Sequence, residues 1–251
     1  MGLAKSEHIA RILVDPRDSK TVYVAAEGPL WSPGGERGLY KSVDGGKTWT
    51  ISLEISKDTG VTSAEYDPSN PDIIYAAAYQ RRRSVAAFVG GGPESAIYKS
   101  EDAGKTWRKL AVGLPDGDKG KIGLAVSPMK PNVVYATVEA GPEGKGFYRS
   151  TDRGESWEKR NPFISGGTGP HYYQEIFADP NTFDRVYQMA PPLMVTDDGG
   201  KSFRRVNENN KHGDNHAMAF IKGEPDYILN GSDGGVYESH DLGKTWRFFD
   251  N

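Results

Sequence analysis

Short stretches rich in β-branched and aromatic residues, such as 10–14, 21–25, 38–42 and 48–53, mark strands, and in Thr48-Trp-Thr-Ile-Ser-Leu53 apolar and polar residues alternate with a period of two. That period puts successive side chains on opposite faces and marks half-buried β-strands. Turn formers separate the stretches: Asp15-Pro16 after the first, a Gly- and Pro-rich run over 28–37 after the second, and Asp44-Gly45-Gly46 after the third. Pro presets φ, Gly permits positive φ, and Asp accepts hydrogen bonds within its own turn, so each break has a local cause. No segment sustains a helical period. The opening segment predicts four strands.

The same order then recurs. Ser42-Val-Asp44-Gly-Gly46-Lys-Thr-Trp49 returns as Ser100-Glu-Asp102-Ala-Gly104-Lys-Thr-Trp107 and Ser150-Thr-Asp152-Arg-Gly154-Glu-Ser-Trp157. It returns twice more, as Thr196-Asp-Asp198-Gly-Gly200-Lys-Ser-Phe203 and Ser239-His-Asp241-Leu-Gly243-Lys-Thr-Trp246. The aromatic positions lie 58, 50, 46 and 43 residues apart. A second phrase keeps step with the first: Asp15-Pro16 leads to Tyr23, Asp67-Pro68 to Tyr75, Ser127-Pro128 to Tyr135 and Asp179-Pro180 to Tyr187. The last repeat keeps the length but not the letters, with Ile221-Lys222 leading to Leu229.

Tandem four-stranded units of this length predict an all-β fold, a β-propeller of about five four-stranded blades. It is either a closed five-bladed ring or part of a larger propeller. Residues 1–251 read as one propeller domain with blades near 8–54, 55–110, 111–160, 161–207 and 208–251. Ser/Thr-x-Asp-x-Gly-x-Thr/Ser-Trp/Phe resembles the Asp-box, or bacterial neuraminidase repeat, of sialidases, xyloglucanases and sortilin-type propellers. The Asp-Pro…Val-Tyr phrase, together with His212-Gly-Asp214-Asn-His216 and Gly231-Ser-Asp233-Gly-Gly, is most similar to bacterial sortilin-type and xyloglucanase-like propellers. The resemblance implies a ligand-binding propeller, with a glycoside hydrolase as the alternative, in an extracellular or periplasmic setting.

Composition narrows the partners. Charge is nearly balanced, 31 Lys and Arg against 34 Asp and Glu, without a basic block, which argues against nucleic acid. No apolar run approaches the roughly 20 residues of a membrane span. The amino-terminal residues lack the apolar core of a signal peptide. The absence of Cys excludes disulfides, zinc–thiolate sites and Cys nucleophiles. The 31 Gly residues are accounted for by repeated turns and Gly-rich loops.

Five equivalent Asp residues cannot all serve one site, so Asp44, Asp102, Asp152, Asp198 and Asp241 read as structural. Strand order places the Asp-Pro turns and the boxes on one face of the ring. The longer second-to-third loops and the between-blade connections share the other, where variable loops carry function. That face gathers Trp31, Glu36, Arg37, Arg81, Arg82 and Arg83, then His171, Tyr172, Tyr173 and Glu175. Rings beside charges suit a peptide or a polysaccharide, since rings stack on apolar surfaces while charges fix orientation.

His212, Asp214 and His216 alternate, and in an extended segment would point to one side. They then offer two imidazoles and a carboxylate to a divalent metal, the one cofactor the sequence suggests. The other reading is a hydrogen-bonded polar cluster at the mouth of the channel. No complete catalytic set is present. Arg81–Arg83 are consecutive rather than drawn from separate blades, and no carboxylate pair can be placed at a glycosidase separation. Open blade edges would also favour self-association.

Overall fold

The computed structural model describes residues 2–165 and 172–250, which form strands and turns with no helix. Blade 1 comprises β1 (Ile9–Asp15), β2 (Asp18–Ala26), β3 (Gly38–Ser42) and β4 (Thr50–Leu53). Blade 2 has β5 (Thr59–Asp67), β6 (Asn70–Arg83), a short β7 (Phe88–Gly90), β8 (Ala96–Ser100) and β9 (Arg108–Leu110). Blade 3 has β10 (Lys119–Val126), β11 (Val134–Ala140), β12 (Gly146–Ser150) and β13 (Glu158–Asn161). Blade 4 has β14 (Ile176–Ala178), β15 (Val186–Gln188), β16 (Met194–Thr196) and β17 (Arg204–Arg205). Blade 5 has β18 (Asn215–Ala219), β19 (Ile228–Ser232), β20 (Gly235–Ser239) and β21 (Arg247–Phe248).

Every blade is an antiparallel meander, so the chain is a five-bladed β-propeller. The expected four-strand reading holds in each repeat. Blade 2 departs from it: β6 runs through the Arg81–Arg83 stretch, expected as a loop, and folds back on β7 with Arg82 opposite Val89.

The Asp-box closes its own turn. Asp102 Oδ1 accepts from the backbone N–H groups of Lys105 and Thr106 at 3.0 and 2.8 Å, and Oδ2 accepts from the Thr106 hydroxyl at 2.6 Å. Ser100 Oγ donates to Asp102 at 2.8 Å and accepts from Gly104 N–H at 2.9 Å. The Thr106 hydroxyl and amide bonds hold the Asp102 carboxyl down at about 2. Gly104, at φ +75°, needs its missing side chain twice over, because a Cβ there would sit 2.5 Å from Ser52 Oγ in blade 1.

The two repeated phrases meet between blades. Tyr23 of blade 1 donates its hydroxyl to the carbonyl of Ala103 inside the second box at 2.7 Å, and Tyr75 of blade 2 reaches Arg153 O in the third at 3.1 Å. In the next seam Tyr135 donates to Asp184 Oδ1 at 2.6 Å, while Asp184 O accepts from Gly199 N–H of the fourth box. The box aromatic packs the other way, onto the preceding blade. Trp107, Trp157, Phe203 and Trp246 each join a different apolar core, one per seam. Tyr and Trp of adjacent repeats thus clasp one interface from both sides.

Between blades 5 and 1 no such core forms among the described residues. Ile12 and Val14 on β1 are 61% and 51% exposed, whereas Ala64, at the register position of Ile12 in blade 2, is fully buried. Val236 and Phe249 of blade 5 are also exposed, while Leu39 and Leu53, their equivalents in blade 1, are buried. Leu229 stands where the other repeats carry Tyr23, Tyr75, Tyr135 and Tyr187. Trp49 joins none of the cores, and its ring lies against Gly2.

This difference predicts unequal costs. Trp157→Ala should destabilise the protein by about 3–5 kcal/mol in urea unfolding, as for other buried aromatic truncations, and Trp49→Ala by well under half as much. Equal losses would show that the first box is packed like the rest.

Candidate functional site

The loop-rich face contains two separate groups of the expected residues. The first is built on the β2–β3 loop of blade 1 and the β6–β7 arm of blade 2. Arg37 was expected to face a ligand, but it is only 3% exposed and holds the loop from inside. Its guanidinium donates to the carbonyls of Glu27, Ser32 and Gly34 at 2.7, 2.7 and 2.9 Å, and also to that of Pro29. Four carbonyls converging on one cation explain its burial. Glu36 Oε2 accepts from Lys5 N–H at 2.7 Å and fastens the amino-terminal segment. Arg81 pairs with Glu27 at 2.9 Å, largely buried. These three residues are braces.

What the braces present is an aromatic platform. Arg83 N–H donates to Leu30 O at 2.8 Å, tying the arm to the loop. The Arg83 guanidinium lies 5.9 Å from the Trp31 ring centre and 5.2 Å from that of Phe88. Trp31 is 61% exposed on a loop whose backbone is fixed from within. Arg82 reaches the Asp58 carboxylate at 3.4 Å at the platform's edge.

The second group stands at the ring centre. Tyr173 stacks on His216 at 5.3 Å between ring centres, 12° from parallel, and its hydroxyl donates to Asp214 at 3.1 Å. His216 Nε2 meets Asp233 Oδ1 at 3.0 Å. His212 Nδ1 accepts from Asp214 N–H at 3.3 Å. Each member of the expected metal trio thus has a different partner, and no three His, Asp or Glu side chains gather as a metal site among the described residues. The alternation argument failed because β18 begins only at Asn215, so His212 and Asp214 precede the strand. The alternative reading, a hydrogen-bonded polar cluster, describes what is there. Tyr172 is exposed beside it, and His171 lies outside the described residues.

Below this cluster the innermost strands enclose a cavity of about 250 Å³. Arg11 donates to Glu65 at 2.6 Å, and Lys121 to Glu175 at 2.6 Å. Burial pushes the Glu65 carboxyl up to about 7, against the pull of Arg11. Of these four groups, sequence reasoning picked out Glu175 alone. The available signal was a charge inside each of three inner strands, Arg11 in β1, Glu65 in β5 and Lys121 in β10.

Comparison with known proteins agrees with this architecture. The BNR/Asp-box repeat model matches residues 148–159, the third box. Among curated proteins, the chain is 26% identical over 223 residues to xyloglucanase Xgh74A of Acetivibrio thermocellus, covering 75% of this chain and 25% of that protein. It is 30% identical over 115 residues to a xyloglucanase of a Paenibacillus species, covering 43% of this chain and 10% of the relative. The chain thus spans about a quarter or less of the length of these relatives.

Among solved structures, an ancestral GH74 enzyme superposes with a TM-score of 0.62 at 17% identity, over 97% of this chain and 31% of that one. YCF48 from Cyanidioschyzon merolae gives 0.50 at 15% identity, over 95% and 84%. Fold and repeats define an Asp-box β-propeller. The proteins it resembles are xyloglucanases and, in shape, a GH74 enzyme and YCF48.

If Arg37 is the internal brace of the platform, Arg37→Met should lower the melting temperature and expose the 27–37 loop to limited proteolysis. Arg82→Ala should leave both unchanged. Identical behaviour of the two variants would contradict the assignment.

Proposed function

We propose that this propeller binds a polysaccharide chain across its loop-rich face, with Trp31 as the stacking anchor. The observation that carries the reading is a Trp exposed on a rigidly braced loop. A free indole face backed by Arg83 and Phe88 offers a flat apolar surface, and such surfaces hold the axial C–H faces of sugar rings. Bracing lowers the ordering cost on binding. The relation to xyloglucanases supports a β-glucan backbone over the peptide ligand that a sortilin-type resemblance implies. A polysaccharide of that class is met outside the cell, so we place the protein in an extracellular or periplasmic setting.

Affinity electrophoresis in gels containing xyloglucan should retard the protein. Trp31→Ala should weaken retardation by about tenfold or more, as for one aromatic anchor. Unchanged migration of both proteins would overturn the platform. Release of reducing ends in the same mixture would convert the binding reading into a hydrolytic one.

The uncovered faces of blades 1 and 5 support a second property, self-association. They expose Ile12 and Val236, whose equivalents are buried in every other blade, and exposed apolar patches of this kind pair. The average mass from light scattering should rise with concentration, and the double variant Ile12→Lys/Phe249→Lys should remain monomeric. A wild-type protein of constant monomer mass would rule this out.

A further inference from the structure

The β6–β7 arm ends in a turn whose composition runs against its position. Exposed turns ordinarily carry Gly, Asn, Asp, Pro or Ser. Here the run is Ser84-Val85-Ala86-Ala87, followed by Phe88 and Val89. Val85 is fully exposed, and Ala86, Ala87, Phe88 and Val89 are exposed beside it. The register sets Phe88 opposite Arg83 and Val89 opposite Arg82, and side chains directly opposite share a face while neighbours alternate. Apolar side chains therefore occupy the tip and both faces of the arm. A flat protein surface covers one face of such an arm, whereas a fluid apolar medium surrounds it.

The tip also closes its own polar groups. Ser84 N–H donates to Ala87 O at 2.8 Å, and Ala87 N–H donates to Ser84 Oγ at 3.0 Å. The one polar side chain of the turn is thus turned back on the backbone, which suits an apolar surrounding where unpaired amides are costly.

Cations stand behind the apolar tip. Val85 lies two positions beyond Arg83 and three beyond Arg82. At the rise of a strand that is a reach of up to roughly 7–10 Å. It is close to the depth of roughly 5–10 Å to which an interfacial segment sinks its apolar part among lipid headgroups. Of the acids near the arm's base, Glu27 is matched by Arg81, Asp58 by Arg82, and Glu36 is turned to the amino-terminal segment. Arg83 has no carboxylate partner among the described residues, and exposed Lys57 adjoins the β2–β3 loop, its carbonyl accepting from Gly34 N–H at 2.7 Å. The excess is positive and complements a phosphate surface. Trp31 and Phe88, both within cation–π reach of Arg83, fall at the same level, where aromatic rings join apolar and wet zones.

We infer that the β6–β7 arm is a membrane wedge. Val85, Ala86 and Ala87 enter the edge of the acyl layer of an anionic phospholipid surface, and Arg82 and Arg83 meet its phosphates. The wedge shares Trp31 with the polysaccharide platform but does not rest on it.

The chain has no Cys, so Val85→Cys carries a single environment-sensitive nitrobenzoxadiazole label at the tip of the intact protein. On vesicles of phosphatidylcholine and phosphatidylglycerol in equal parts, its emission should shift to the blue and be quenched by spin-labelled lipid. Added salt should weaken both effects. The unlabelled protein should float with the same vesicles, and Val85→Asp/Val89→Asp, folded by circular dichroism, should lower the partition coefficient about tenfold or more. Retardation by xyloglucan, read on the same variants, reports the platform separately, so either reading can fail alone. Failure of the protein to float overturns the wedge, as does equal flotation of the double variant or an equal blue shift on phosphatidylcholine alone. A blue shift that grows with protein concentration and needs no vesicles also overturns it, and assigns the tip to a second copy of this chain.

Discussion

The clasp between neighbouring blades governs this structure. A Tyr hydroxyl from the second strand of one blade reaches into the box turn of the next, while the aromatic residue closing that box folds back onto the blade it came from. Either contact requires the other to be in register, because both depend on the depth at which the turn sits. That mutual dependence accounts for the two sequence phrases keeping step through four repeats despite linkers of unequal length. It also separates the tasks of the two faces. The box carboxylates are consumed by their own turns, leaving that face chemically closed, while the opposite loops carry no part of the clasp and vary in length and composition.

The closed face has an electrostatic consequence. Several box carboxyls are held near 2 by hydroxyl and amide donors, so they remain ionised wherever the protein is folded at ordinary pH. Glu65 is displaced in the opposite direction by burial and sits near 7. A raised carboxyl of this kind contributes stability that is complete below its unfolded value of about 4.5 and is lost as pH rises through 7. The boxes contribute in the opposite sense, adding stability above an unfolded value near 3.8 that is lost as pH falls toward 2. The two sets oppose each other, one shaping the acid limb and the other the neutral one.

Most of the architecture was legible because each turn has its own chemistry and the strands between them recur in phase with it. Asp44 needs only residues 42–48 to close its turn, so a local phrase suffices to define it. The site was less legible, for physical reasons that differ by residue. Three consecutive Arg residues follow the apolar run of β6 and look like its end, although the strand continues because β7 folds back to pair with it. Arg37 looks like a surface cation, and only the four carbonyls that surround it, set by the path of the whole loop, explain its burial. His212 and Asp214 were read with a strand's geometry before the strand that holds His216 had begun. Arg11, Glu65 and Lys121 come from three blades, and a single sequence carries no mark of their convergence until the ring is formed.

The unclasped seam gives the ring two ends. A blade held by neighbours on both sides opens only when two interfaces yield, whereas among the described residues blade 1 and blade 5 are each packed against one. Trp31 sits on blade 1, and the arm that completes its platform, with Arg83 and Phe88, belongs to blade 2. On the proposed reading, a polysaccharide lying across the platform would bridge blades 1 and 2, and its binding free energy would add to the local opening free energy of blade 1.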